Sequence, residues 1–335
     1  MKVSGTDHLA RSRRNRFTAV RLNREVELRD NSQWVAETLK HPETRLVPLW
    51  RSRSLLERGD DGTLAVYLSP TDLPEPDRIQ PPTLLGNDGE REYFAVSVTD
   101  SQKDTILAKF SAAQFADLRR ASIYMVAKHA GILAYARALH YWQHRHAFCG
   151  VCGHPNLLRS AGHRMLCSNE ECARESYPRI DPAIIVLVTH KGSCLLGRNA
   201  KWQPNQFSTL AGFVEPGESL EDAVVREVYE EVQLRLEDIR YVSSQPWPFP
   251  ASAMCGFYAE ALDQNSHTTE EVEETRWFTV ETLTQAVLNN EVRLSPPVSI
   301  AFRLLADWFR KGGGGDLEEL VRRQRDENRR TKLLE

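Results

Sequence analysis

The sequence predicts an α+β chain whose C-terminal half is an α-β-α sandwich, preceded by a small cysteine module and a separate β-rich N-terminal domain. Three observations predict it. After Asp181, buried-type strand runs alternate with amphipathic helix patterns. Four of the six cysteines crowd into the stretch Cys149–Cys172. Before them, Pro-rich turns separate strand-like runs, and 335 residues are enough for two domains plus a small module. The balance of the chain narrows the partners. A net charge of only −3 gives no global field to recruit nucleic acid or anionic lipid. No apolar run approaches a membrane span, so no membrane association is expected.

The first 30 residues carry Arg11, Arg13, Arg14, Arg16 and Arg21 but no apolar segment, which argues against a secretory signal. Asp7, Glu25 and Glu27 count against an Arg-rich transit peptide, and a partly mobile basic arm leading into the first strand is expected. The runs Leu64–Leu68 and Tyr93–Val98 read as strands. A helix is expected near Ala121–His140, with Met125, Ile132, Ala136 and Leu139 on one apolar face. These features assign residues 1–145 to an N-terminal domain without any carboxylate motif.

Residues 146–178 hold Cys149-x2-Cys152 and Cys167-x4-Cys172. Two short-spaced thiol pairs across a polar, turn-rich stretch read as a tetrahedral Zn²⁺ site, with Gly150 and Gly153 flanking the first pair. Two disulfides are the competing reading. Without a secretory signal the thiols are expected to stay reduced, in a cytoplasmic protein. Four thiolates leave no open coordination position, so the zinc is expected to be structural. Cys194 and Cys255 lie in apolar, strand-like contexts as buried free thiols.

Residues 179–311 form the main domain. Ala183–Val188 is a buried-type strand, Lys191-Gly192 a turn and Ser193–Leu196 its return. Further strands are expected around Cys255–Ala261 and Thr275–Thr279, and a helix over Val298–Phe309. Between them, Pro216-Gly217 makes a turn and Ser219 an N-cap, with Asp222 as its capping-box partner. The helix that follows buries Val224, Val228 and Val232. It also places Glu227, Glu230 and Glu231 within an arc of about 100°. Like charges so close repel one another, and hard carboxylate oxygens at that density suit Mg²⁺ or Mn²⁺. A solvated acidic face is the alternative. Three prolines in Ser244-Gln245-Pro246-Trp247-Pro248-Phe249-Pro250-Ala251-Ser252 preclude a helix or a central strand. The stiff extended loop so predicted either offers Trp247 and Phe249 as a preformed stacking surface or covers a core. Gly312–Gly315 read as a flexible break, and residues 312–335 as a glycine linker with a charged, helix-prone tail.

At this point the chain resembles a known family. The segment from Gly212 to Leu234 is similar to the Nudix box, G-x5-E-x7-R-E-U-x-E-E-x-G-U with U aliphatic. Gly212, Glu218, Arg226, Glu227, Val228, Glu230, Glu231 and Leu234 all match. Gln233 stands where the family has glycine, a substitution that costs about 1–2 kcal/mol if the backbone stays left-handed. The resemblance implies metal-dependent hydrolysis of a diphosphate. Residue by residue it makes Glu227 and Glu231 metal ligands, with Glu230 sharing a metal or orienting the water. Glu218 reaches the cluster from the loop, and the Ala211 carbonyl is a further ligand. Arg226 is expected to be structural, flanked at four residues by Asp222 and Glu230. A later carboxylate is expected from Glu270–Glu274, with Glu271 matching by its spacing to Trp277-Phe278.

The segment S-Q-P-W-P-F-P-x-S after such a box resembles the signature of the NADH pyrophosphatase branch. That branch also carries a zinc ribbon behind a rudimentary Nudix-like N-terminal domain. The similarity runs from about Phe148 to Ala301. It implies that Gln245, Pro246, Trp247, Pro248, Phe249, Pro250, Ala251 and Ser252 line a dinucleotide site, together with Tyr177 and Ala301. Gly162 stands where some relatives have a substrate-contacting glutamate. The implied reaction splits NADH or NAD into NMNH or NMN and AMP, in a homodimer whose chains both contribute to the site. Removal of the NAD cap from RNA 5′ ends is the alternative, with Arg159, Arg164, Arg174 and Arg179 as a basic rim. A non-catalytic zinc-ribbon interaction protein and a simple nucleotide-pool cleaner are the remaining readings. The intact carboxylates speak against the first, and the aromatic proline loop against the second.

Overall fold

The computed structural model describes residues 6–18, 20–60, 62–73 and 80–332; residues 1–5 of the predicted arm and 333–335 of the tail lie outside the described residues. Two compact units emerge. The first draws on residues 1–15, 181–245 and 253–335, the second on 16–180 and 246–252.

The chain starts with helix α1 (Thr6–Arg14) and enters the second unit through α2 (Ser32–Thr38). Strands β1 (Arg45–Trp50), β2 (Arg53–Gly59), β3 (Gly62–Ala65), β4 (Thr83–Asn87) and β5 (Glu92–Ser97) follow, then α3 (Asp100–Lys109) and β6 (Ala113–Ala116). The sheet order is β3-β2-β1-β5-β4, with β6 on β2. Its β1–β5 pair is parallel, from Arg45 opposite Tyr93 to Leu49 opposite Ser97. Leu46, Leu55, Leu68, Leu84, Phe94 and Ile106 fill its core. The run Leu64–Leu68 is shorter as a strand than expected: β3 ends at Ala65, and Leu68 rejoins the sheet through a lone bridge to Leu46.

The expected helix over 121–140 divides. A short α4 (Leu118–Ala121) ends before Met125, and α5 runs from Ala127 to Arg145. Met125 is buried, its backbone bridges Thr63, and Arg16 donates to its carbonyl at 2.8 Å. Those pairings hold Met125 and Val126 extended, so the helix starts after them. Beyond α5, β7 (Asn156–Arg159), β8 (Arg164–Cys167) and β9 (Glu175–Ser176) make a small antiparallel sheet around the cysteines.

The first unit holds β10 (Asp181–His190), β11 (Ser193–Asn199), β12 (Gln206–Phe207), β13 (Leu210–Phe213) and α6 (Leu220–Val232). It continues with β14 (Leu236–Trp247), β15 (Ser252–Ala261), β16 (Val272–Phe278), α7 (Val280–Leu288) and β17 (Arg293–Leu294). Helices α8 (Ile300–Lys311) and α9 (Leu317–Lys332) complete it. Sheet order is β14-β15-β10-β11-β16, with β13 on β10 and a separate parallel pair β12–β17. Strand β10 alternates as a doubly covered strand must. Ile184, Val186 and Val188 pack under α6 with Val224, Val228 and Val232. Ile185 and Leu187 face the other way, onto Leu283, Ile300, Leu305 and Phe309 of α7 and α8. This is the predicted α-β-α sandwich.

Three expectations at the margins change. Residues 6–14 of the basic arm form α1, packed within the first unit. Arg11 Nε donates to Val242 O at 3.1 Å, Asn15 Nδ2 to Ser244 O at 2.8 Å, and Ser244 N to Ser12 Oγ at 3.1 Å. These bonds satisfy the outer backbone of edge strand β14, and Arg14 pairs with buried Asp307 at 2.9 Å. Gly312–Gly315 is a packed turn, because Gly314 lies so close to the Phe309 ring that a Cβ would sit 2.4 Å from it. Helix α9 then returns Leu317 and Val321 to the core. Among the described residues no helix is long and apolar enough to cross a membrane.

Candidate active site and metal centre

Helix α6 begins as its sequence dictates. Ser219 Oγ accepts from Asp222 N at 3.0 Å, and the Asp222 carboxylate returns the bond to the Ser219 amide at 3.3 Å. Asp222 is thereby committed to the cap and leaves Arg226, which was expected to pair with it. Arg226 instead reaches the loop. Its Nη2 lies 3.0 Å from Glu218 Oε2, its Nε also bonds Glu218, and Nη2 donates to Phe213 O at 2.9 Å. Its Nη1 lies 2.8 Å from Glu230 Oε2 and 3.0 Å from Glu227 Oε1. One guanidinium therefore ties the lead-in loop to the helix carboxylates, and its bonds to Glu218 hold that carboxyl down at about 2. At the other end Gln233 closes the helix with φ 59° and ψ 23°, the left-handed cap that the family fills with glycine.

The carboxylates differ in environment. Glu231 is buried, and its Oε2 has no hydrogen-bond partner. Burial first, then the charges of Glu227 and Glu271, push it up to about 8, opposed only by the Ala211 amide. Glu227 is raised by burial and by Glu230 and Glu271, with Arg226 pulling the other way. Glu271, on the loop before β16, is thus within the electrostatic reach of both helix glutamates. Its neighbours are spent elsewhere: Arg198 binds Glu273 at 3.0 Å and Glu274 at 3.3 Å. Glu227 lies flat on β13, where a Cβ on Gly212 would fall 1.8 Å from its Cδ. Only glycine leaves room for that carboxylate.

A buried carboxylate with one oxygen unpartnered, raised by burial and then by two like charges, is a site that a divalent cation would neutralise. The residues fit one in chemistry: hard oxygen donors from Glu227, Glu230, Glu231 and Glu271 beside the Ala211 backbone. They are not gathered to a point. Among the described residues, three or more metal-type ligand atoms lie within 4.8 Å of one another only at Cys149, Cys152, Cys167 and Cys172.

At the cysteines Sγ–Sγ distances of 3.8 Å (Cys149–Cys172) and 3.3 Å (Cys152–Cys167) are far beyond a disulfide bond. Four thiols at such spacing make a tetrahedral zinc-type set. The backbone amide of His154, then Cys167, lowers the Cys152 thiol to about 6, and backbone amides lower Cys149 as well, whereas burial pushes Cys167 up to about 12. Gly153 supplies the positive φ of the knuckle at 75°, which Gly150 does not adopt.

The proline-rich stretch departs from a simple loop. Gln245, Pro246 and Trp247 finish β14, which tolerates proline because it is an edge strand, and residues 248–251 form the turn into β15. Gln245 is buried in the first unit. Its Nε2 donates to Val298 O and its Oε1 accepts from Ile300 N, both at 2.8 Å, which joins it to the start of α8 beside buried Ala301. Pro246 to Ser252 belong to the second unit. There Trp247 and Phe249 meet edge-on at 5.2 Å, and Phe17 packs its edge on both. Arg119 lies 5.3 Å over the Trp247 ring and Arg137 5.2 Å over Phe249. Pro250 is exposed, while Ala251 and Ser252 are half-buried. Tyr177 is exposed and donates to Glu175 at 2.7 Å.

Gly162 is locked by geometry. Its φ is +93°, and a Cβ would meet Thr83 Oγ1 at 2.3 Å, so the glutamate of some relatives has no room in this backbone. Of the proposed basic rim, Arg164 is paired with Glu175 at 2.6 Å. Phe17, Arg119 and Arg137 were not singled out from sequence; they lie more than 100 positions from the turn they support, and no local pattern marks them.

Comparison with known proteins agrees with this geometry. The NUDIX domain family matches residues 178–296. The family described as NADH pyrophosphatase-like rudimentary NUDIX domain matches residues 43–142. The human protein named NAD-capped RNA hydrolase NUDT12 is 32% identical over 342 residues, covering 88% of this chain and 73% of its own length. The NAD-capped RNA hydrolase NudC of Stutzerimonas stutzeri is 44% identical over 153 residues, 45% of this chain and 55% of its own length.

Proposed function

This chain belongs to the Nudix family, in its NADH pyrophosphatase branch, and we propose that it hydrolyses the pyrophosphate bond of NADH or NAD, giving NMNH or NMN and AMP. The observation that carries the reading is the unpartnered buried oxygen of Glu231, set among Glu227, Glu230 and Glu271 on and beside the box helix. Mg²⁺ or Mn²⁺ held by these carboxylates and the Ala211 carbonyl would neutralise the diphosphate and lower the pKa of the attacking water.

The chain's own residues set the rest. Arg226 fixes Glu218 and the Phe213 carbonyl, so the loop and helix present their carboxylates as one surface. Gly212 lets Glu227 lie against the strand. Glu230 is exposed and pairs with Arg226, which suits it to orient the attacking water. Trp247, Phe249 and Tyr177 supply rings for the base and nicotinamide, with Pro246, Pro248, Pro250, Ala251 and Ser252 on the same turn, and Gln245 and Ala301 are further substrate contacts that the family resemblance implies. Zn²⁺ on the four cysteines is structural. The functional form is a cytoplasmic homodimer in which both chains contribute to the site.

The names of the relatives favour a second activity of the same site, removal of the NAD cap from RNA 5′ ends. One experiment tests both. NADH, NAD and NAD-capped RNA are incubated in parallel with Mg²⁺ or Mn²⁺, beside the Glu230→Gln and Glu231→Gln variants. Cleavage of NADH and NAD to two mononucleotides, and of the capped RNA to NMN and a 5′-monophosphate RNA, is expected, and both variants should lose it. Turnover of dGTP or ADP-ribose alone would overturn the substrate assignment.

A further inference from the structure

The turn that carries Trp247 and Phe249 has almost no hydrogen-bond donors. Pro246, Pro248 and Pro250 lack N–H groups. The Phe249 amide folds back onto the Trp247 carbonyl at 2.8 Å. With three of its seven amides missing, the turn has few main-chain bonds of its own, and the Pro248 carbonyl accepts its bond from elsewhere in the chain.

Arg137, in the middle of α5, is that donor. Its Nε donates to Pro248 O at 2.9 Å, and its Nη1 donates to Ser52 O at the start of the β1–β2 hairpin's return strand. The guanidinium carbon stands over the Phe249 ring, 5.2 Å from its centre. The partners described for the guanidinium are two main-chain carbonyls and a ring, with no carboxylate among them. A planar fork with several fixed donors can bridge two carbonyls and cover a ring at once, whereas an ammonium group cannot. Burial pushes the Arg137 pKa down, with Asp117 and Tyr141 opposing, yet it remains a cation at any ordinary pH. Phe17 on the ring edges and Arg119 over Trp247 complete the clamp, all within the second unit.

We infer that Arg137 is a positioning residue for dinucleotide binding: it fixes the Trp-Pro-Phe turn to the N-terminal sheet, so that the two aromatic rings are held before substrate arrives. This rests on the reading that the turn lines the dinucleotide site. Preorganised rings bind at lower entropic cost, so loss of the anchor raises KM and leaves the chemical step alone.

The test compares full-length Arg137→Lys and Arg137→Met with the unaltered chain. Zinc content and unfolding midpoint confirm that each variant is folded. Amide exchange over residues 246–252 reports the turn, and steady-state kinetics on NAD report the site. The expected result is faster exchange at Trp247 and Phe249 and a KM raised about tenfold, as for one charge-assisted hydrogen bond, with kcat within about threefold. Lysine keeps the charge without the fork and is expected to behave like methionine. Unchanged exchange and KM in Arg137→Met would overturn the inference, as would full recovery in Arg137→Lys or an equal fall in kcat and kcat/KM. Faster exchange with an unchanged KM would keep Arg137 as the anchor and overturn the placement of the turn at the dinucleotide site.

Discussion

Replacing Gly212 with alanine would disarm Glu227 without altering it. The new Cβ would stand 1.8 Å from Glu227 Cδ and 2.0 and 2.2 Å from its two oxygens. Non-bonded carbon atoms rest roughly 3.5–4.0 Å apart, so the carboxylate must retreat by about 2 Å. Metal ligands tolerate about 0.2 Å, and a misplacement of about 1 Å at a reacting centre costs on the order of 10²-fold. Gly212 has no positive φ, so alanine strains nothing in the backbone and the fold survives. The expected outcome is a kcat/KM for NAD lowered by about 10²-fold or more, with a higher Mn²⁺ concentration needed for half-maximal rate. Manganese titrations followed by electron paramagnetic resonance read the affinity directly. The decisive arm is the double variant. In a Glu227→Ala background the clash has no target, and Gly212→Ala should cost less than about threefold. A single variant within threefold of the parent, or a full loss repeated in the double, would refute the argument.

Other outcomes follow from the same geometry. Glu231, raised to about 8 from an ordinary 4.5, favours its protonated form in the folded protein. In chelator, folding stability should therefore fall as pH climbs from about 4.5 to 8 by on the order of a few kcal/mol. Glu231→Gln should remove that fall, so its denaturation midpoint should exceed the parent's by more at pH 8 than at pH 5; equal differences would count against a buried, protonated Glu231. Gln233→Gly should raise the free energy of unfolding by about 1 kcal/mol, read as a higher urea midpoint, since the residue already has φ 59°, and a lower midpoint would show that the Gln side chain is holding the cap. Elemental analysis should find one zinc per chain, lost in a Cys152→Ser, Cys167→Ser double variant along with order in residues 149–176. Undiminished zinc in that variant would remove the metal from these thiols.

What the sequence revealed was local. Ser219 with Asp222, the valine stripe of α6 and the Cys-x2-Cys spacing each obey short-range rules, and each appears where the residues place it. The partners of Arg226 were read in part: helical spacing pointed to Glu230, which it meets, and to Asp222, whose carboxylate caps the helix while Arg226 turns to Glu218 on the lead-in loop. Met125 looked helical because its spacing to Ile132 and Ala136 fits, while a bridge to Thr63 decided its backbone. Helix α1 was missed because it is joined by polar side chains to a strand more than 200 residues away, and hydrophobic periodicity carries no trace of such bonds. The environment of Trp247 and Phe249 was equally hidden, since Arg119, Arg137 and Phe17 converge on them from distant segments.

The bond between Arg11 and Val242 spans 231 positions. During synthesis α1 must wait for all of those positions to be made before its docking strand exists, a long closure that slows the last stage of folding. A version of the chain begun at residue 16 would leave that strand's outer rim bare, and bare rims recruit neighbouring molecules. Shortened preparations should thus be judged first by whether they stay dispersed at high concentration, before any turnover is measured.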